Sequence, residues 1–103
     1  MEDYEKNKVL FTQLILMLHG AAMQQMGKIK NPVTDKIERD LTQAQFSIDM
    51  LDMMKEKTKG NLSPEEERFL HSLLQELKLN YVDEAGKDQR QQTQEQSSTE
   101  SAQ

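Results

Sequence analysis

The chain contains no cysteine and no tryptophan, and its 103 residues include only two prolines and four glycines. The absence of cysteine excludes a disulfide-stapled scaffold, a thiolate metal site and a cysteine nucleophile. There is no basic excess either: 13 Lys and Arg against 18 Asp and Glu leave a net charge of −5. Such a balance argues against nucleic-acid affinity driven by net charge, because phosphate binding relies on a basic footprint. No long hydrophobic run occurs. The most apolar stretch, Val9 to Met26, is broken by Thr12, Gln13, His19, Gln24 and Gln25, whereas a membrane-spanning helix needs about 20 mostly apolar residues. The opening Met1-Glu2-Asp3-Tyr4-Glu5 lacks the basic start of a secretory signal. With cysteine absent as well, a cytoplasmic protein without a membrane span is expected. The length allows one domain at most.

What is present is unevenly distributed. From Glu84 to Gln103 the only apolar residues are Ala85 and Ala102, and six of these twenty residues are Gln. That segment cannot bury enough surface to offset roughly 1–2 kcal/mol per residue of backbone ordering entropy. The sequence therefore predicts a three-helix domain over residues 1–83 and a disordered Gln/Ser-rich tail over 84–103. The tail holds four acidic and two basic residues, so the first 83 residues carry −3 of the total −5.

Three helices follow from period and punctuation. In the first, from about Glu5 to Met26, the residues Phe11, Leu14, Ile15, Leu18, Ala21, Ala22 and Met26 recur at steps of three and four and share one face. Gly27 is placed to end it in a left-handed turn, and Pro32 keeps Asn31 out of helical geometry. The second helix is expected to begin after Asp40, with Gln43 reaching back in a variant capping box and Leu41, Ala44, Ile48 and Leu51 as its core stripe. A start at Thr34 or Asp35 is the alternative, because Asp35 and Glu38 have the same spacing. This helix closes in Lys55-Glu56-Lys57-Thr58-Lys59-Gly60, with lysines matched to the helix dipole. The third has the clearest start: Ser63 caps, Pro64 takes the first helical position and Glu66 completes a capping box. Its stripe is Phe69, Leu70, Leu73, Leu74, Leu77 and Tyr81. The predicted fold is all-α, a helical hairpin plus a third helix, with sequential helices antiparallel.

Two helices carry a second apolar stripe. In the first, Val9, Leu16 and Met23 lie seven residues apart, well off the core face, and Gly20 sits close to that side. A mid-helix Gly costs about 1 kcal/mol against Ala, which a close backbone approach by a neighbour would compensate. In the second, Phe46, Met50 and Met53 follow an i, i+4, i+7 pattern, with Met54 beside them. Either the neighbouring helices bury these stripes inside the monomer, or they form a self-association or partner surface. Adaptable Met side chains suit the latter. The expected partner interface is Val9, Leu16, Gly20, Met23, Phe46, Met50, Met53 and Met54.

Catalytic constellations are missing. His19 and His71 have no second His and no carboxylate at i+3 or i+4 with which to build a metal site. His71 is expected to face solvent, and His19 to be a hydrogen-bonding rim residue of the association face. Glu65, Glu66 and Glu67 are accounted for as favourable charges in a first helical turn. No phosphate-cradling glycine loop and no nucleophile elbow occurs. No cofactor, metal or catalytic residue is expected. Lys28, Lys30, Lys36 and Arg39 cluster at the first connection, and Lys55, Lys57 and Lys59 at the end of the second helix. The latter three are candidate anion contacts. Interleaved Asp35, Glu38, Asp40 and Glu56, and the lack of accompanying aromatics, favour a solvated, dipole-matching role for both groups.

Several local runs, namely Asn31-Pro32, Asp40-Leu41, Ala44-Gln45, Ile48-Asp49 with Leu51, Lys57-Thr58-Lys59-Gly60-Asn61-Leu62, and Leu77 to Tyr81-Val82, give the chain a family resemblance. It resembles a bacterial family catalogued as domain of unknown function 1844, over about residues 8 to 83. The resemblance implies a small all-helical bacterial protein, and it supplies no activity. The family pattern is loose at the first helix, and the tail lies outside it. The expected function is a non-enzymatic helical module that self-associates or docks a partner helix. The alternative is a nucleic-acid- or ribosome-associated accessory factor that uses the lysine clusters.

Overall fold

The computed structural model describes residues 2–101, with side chains as far as residue 92. It contains three helices: α1 (Asp3–Gln25), α2 (Leu41–Lys57) and α3 (Pro64–Ser101). No strand occurs among the described residues; a single isolated bridge joins Asn31 and Lys36. α2 is the central helix and packs against both others, while α1 and α3 touch less extensively. α1 and α3 run parallel, in a register marked by Lys8–Glu65 at 3.3 Å and His19–Glu76 at 3.5 Å.

The punctuation acts largely as the sequence implies. α1 ends at Met26 and Gly27, whose φ of 81° is the left-handed value glycine adopts without strain. Ser63 Oγ accepts the Glu66 N–H at 3.2 Å, and Glu66 Oε1 accepts the Ser63 N–H at 3.0 Å, so the capping box of α3 is closed in both directions. At α2 the box is half made. The Asp40 side chain accepts the Gln43 N–H at 3.2 Å, but the Asp40 N–H donates to the Gln25 carbonyl at 2.7 Å. One hydrogen bond thus satisfies an orphan carbonyl at the end of α1 and pins the start of α2 beside it. The alternative start at Thr34 or Asp35 is excluded, because Asp35 sits at φ 57° inside a turn closed by Asp35 N–H to the Asn31 carbonyl, 2.7 Å.

The core consists of Ile15, Ala22 and Met26 from α1, Ala44, Ile48, Leu51 and Met54 from α2, and Leu70, Leu74 and Leu77 from α3. Phe11, Leu18, Met23, Leu41, Leu62, Phe69, Leu73 and Tyr81 pack half-buried against it. The core stripes read from sequence are therefore found in place, except that Ala21 is only half-buried, outside the core cluster, and Leu14 is exposed. Leu14, expected inside, is 46% exposed, because it lies roughly 80–120° around the helix from the buried Ala22, Ile15 and Met26. A polar contact lies within this packing: Ser47 Oγ is 2.7 Å from the Gln25 amide, whose nitrogen, in the orientation that satisfies all partners, also reaches the Gln43 carbonyl at 3.1 Å.

The boundary expected at residue 84 falls inside α3, and the packed unit continues beyond it. Glu84 is only 7% exposed. Its carboxylate accepts from Lys87 at 2.7 Å, Lys28 at 2.9 Å and Arg39 Nε at 3.1 Å, and its carbonyl accepts from Arg39 at 2.8 Å. Arg39 also reaches Asp88 at 3.0 Å, and Lys28 reaches Asp83 at 3.1 Å. These bonds, that from Lys87 foremost, push the Glu84 carboxyl from its ordinary 4.5 down to about 2. The long first connection is thereby fastened to α3. Lys28 and Arg39, read from sequence as solvated charges, are committed to this cluster. The expected tail from residue 93 onward lies outside the described side chains.

Candidate interaction surface

α1 has an unusual composition for a helix in so charged a chain. From Val9 to Met26 it bears no Asp, Glu, Lys or Arg, although 30% of the protein is charged. A helix that is apolar all round is ordinarily buried on all sides. Here two neighbours cover only part of its circumference. Gln25 marks the flank facing α2, and Lys8 and His19 mark the flank facing α3 through Glu65 and Glu76.

At about 100° per residue, Leu14, Leu10 and Met17 fall within roughly 20–80° of Gln25, on the α2 side of the outer surface. They are 46%, 55% and 68% exposed. Val9 and Leu16, 48% and 43% exposed, lie on the opposite side, next to α3. Between the two rows runs an outward ridge of Gln13, Gly20 and Gln24. A Cβ added at Gly20 would meet nothing within 4 Å, so no close approach inside the monomer accounts for this glycine. On α2, Met50 (42% exposed) lies on the flank next to α1, with Phe46 (60%) and Met53 (49%) beside it on the outer face. The apolar surface thus wraps from α1 across the seam onto α2.

Six of the eight residues expected at the interface are accessible in this way or lie on the ridge between: Val9, Leu16, Gly20, Phe46, Met50 and Met53. Two are corrections. Met54 is a core residue, 9% exposed, because at its position on α2 it turns toward the three-helix centre with Leu51. Met23 is half-buried against the core. Leu10, Leu14 and Met17 were missed. Their i, i+4, i+7 spacing equals that of Phe46, Met50 and Met53, so the signal is present in the sequence, but Leu14 also fits the core stripe and concealed it. His19 is partly covered, and its buried Nε2, 3.5 Å from Glu76 Oε1, makes no hydrogen bond. It lies between α1 and α3, beside the Val9 and Leu16 row, and the hydrogen bond expected of it is not made. His71 is exposed as expected.

The lysines at the end of α2 divide. Lys55 and Lys59 line an open cleft of ≈ 480 Å³ between α2 and α3, and Lys57 does not. Among the described residues no group of three His, Asp or Glu side chains is placed to hold a metal ion, and no helix is long and apolar enough to cross a membrane. The family model described as Domain of unknown function (DUF1844) matches residues 8–83, from the second turn of α1 to just before Glu84. Neither the curated proteins nor the solved structures contain a match to the chain.

Proposed function

The chain belongs to the DUF1844 family, which brings no assigned activity with it, and we propose that it is a non-enzymatic helical module that self-associates through the outer face of α1. The observation carrying this reading is the outer face itself, with Val9, Leu10, Leu14, Leu16 and Met17 accessible on a helix that has no Asp, Glu, Lys or Arg over residues 9–26. A second copy is the occupant that fits best. Two protomers of net charge −5 repel one another, but faces without charge can meet about a two-fold axis with no like-charge contact. Gly20, open on the ridge between the two apolar rows, gives the crossing helix room for close backbone approach.

Eight half-exposed apolar side chains per protomer, counting Phe46, Met50 and Met53 on α2, offer about 1 kcal/mol each on burial. The sum, about 16 kcal/mol for a dimer, must exceed an association cost of about 4–15 kcal/mol. A reversible dimer in the micromolar range is the expected result. Sedimentation velocity of the full chain tests it: Met17→Asp and Leu14→Asp are expected to give a monomer with unchanged helical circular dichroism. A wild-type protein that stays monomeric at hundreds of micromolar would overturn the proposal. The alternative of a nucleic-acid accessory factor rests on two lysine clusters, and the first is already engaged: Lys28 and Arg39 on Glu84, and Lys30 near Asp35 at 3.9 Å.

A further inference from the structure

Most cations of the fold that lie near an acid are paired with one: Lys8, Lys28, Lys30, Arg39, Lys78 and Lys87 each have a carboxylate within 4.0 Å. Of the remaining cations, which include Lys6, Lys36 and Lys57, three meet at the cleft between the last turns of α2 and the first turns of α3. Lys55, Lys59 and Arg68 line it, and none makes an ion pair with a described residue, although Glu56 and Glu67 share the same walls. Lys55 instead points its ammonium at His71 Nδ1, 3.5 Å away. Complementing the dipole explains a lysine in the last turn of α2, but it gives no reason for Arg68 on the facing helix.

The floor is apolar. Leu70 is almost fully buried, 1% exposed, and Leu62 half-buried beside it. Leu62 is held there by the turn that ends α2, in which Thr58 Oγ1 donates to the Met54 carbonyl at 2.7 Å and Asn61 N–H to the Thr58 carbonyl at 2.8 Å. The volume, ≈ 480 Å³, falls in the usual range for a small-molecule site of about 300–1,000 Å³.

We infer that this cleft binds a small organic phosphate: Lys55, Lys59 and Arg68 hold the phosphoryl group and the apolar body of the ligand packs on the half-buried Leu62, above the buried Leu70. A phosphate monoester carries nearly two negative charges near neutral pH and three strong acceptor oxygens, which matches three unpaired cationic donors better than a single carboxylate does. The apolar floor selects an ester over inorganic phosphate. Glu56 and Glu67 line the same cleft and disfavour ligands that carry a second anionic group.

The test is a titration of the full chain followed by NMR of backbone amides, with phenyl phosphate, inorganic phosphate and benzoate as probes. Phenyl phosphate is expected to give saturable shifts at Leu62, Arg68 and His71 with millimolar or tighter affinity. Inorganic phosphate and benzoate should each bind several-fold more weakly. Arg68→Gln and Lys55→Gln, both at exposed positions, should reduce phenyl phosphate affinity at least tenfold with helicity unchanged. The inference is overturned by the absence of saturable shifts, by shifts that persist in both variants, or by benzoate binding as tightly as phenyl phosphate. Its outcome is independent of the oligomeric state, which sedimentation reads separately.

Discussion

Replacing Glu84 by Gln keeps the volume and removes the charge that holds Lys28, Arg39 and Lys87 together. Because Gln resembles the protonated carboxyl, the effect follows from how far the carboxyl is held below its ordinary value, from 4.5 to about 2. At neutral pH that displacement corresponds to about 3 kcal/mol. Lys87 is 54% exposed, so solvent screens part of it, and about 2–3 kcal/mol is the expected loss. For a domain of this size it lowers the melting temperature by roughly 10–20 °C. The sign sets the pH dependence. Glu84 has a depressed pKa in the folded state, so its contribution is complete above the unfolded value of about 4.5 and declines as pH falls from there toward 2. Urea and thermal unfolding at pH 7, 4 and 2.5, followed by circular dichroism, should show the gap between wild type and Glu84→Gln closing at acid pH. Equal stability of the two proteins at pH 7, or a gap that stays constant down to pH 2.5, would refute the argument.

Other outcomes follow from the same packing. Truncation after Asp83 should destabilise by about as much as Glu84→Gln, because it removes the same carboxylate with Asp88 and Lys87. Leu51→Ala, at a fully buried position on the central helix, should cost about 2–5 kcal/mol in urea unfolding. Gly20→Ala should act in opposite directions. It stabilises the isolated chain by about 0.5–1 kcal/mol, since a Cβ meets nothing there, and weakens the dimer in sedimentation if a second backbone crosses at that point.

Much of the local structure was legible because it depends on short-range chemistry. Ser63, Pro64 and Glu66 announce the start of α3, and Gly27 and Gly60, at φ 81° and 82°, mark turns that other residues enter only with strain. The surface was legible only in part. Angular position on one helix separates Met50 from Leu51, but it cannot say how much of each circumference the neighbours cover: Leu14 on α1 is left exposed, and Met54 on α2 is buried by its two neighbours. The cleft between α2 and α3 could be half anticipated. Lys55, Lys57 and Lys59 stand out as a group in the sequence, but only Lys55 and Lys59 line the cleft, and Arg68 and His71 come to them only when α3 folds back along α2.

The sequence by itself determined the number of helices, where α2 and α3 begin, where α1 and α2 end, and which stripe of each one is apolar, since capping, propensity and period act within a few residues. Tertiary structure alone decided the rest: which of several apolar rows is covered, which lysines are neutralised and where the packed unit stops. Glu84 makes the distinction concrete. In sequence it opens a polar segment with almost nothing to bury. In the fold it is covered because Lys28 and Arg39, 45 or more residues earlier, meet it where the first connection crosses α3. Burial of a charge depends on partners brought from a distance, and no local pattern encodes that meeting.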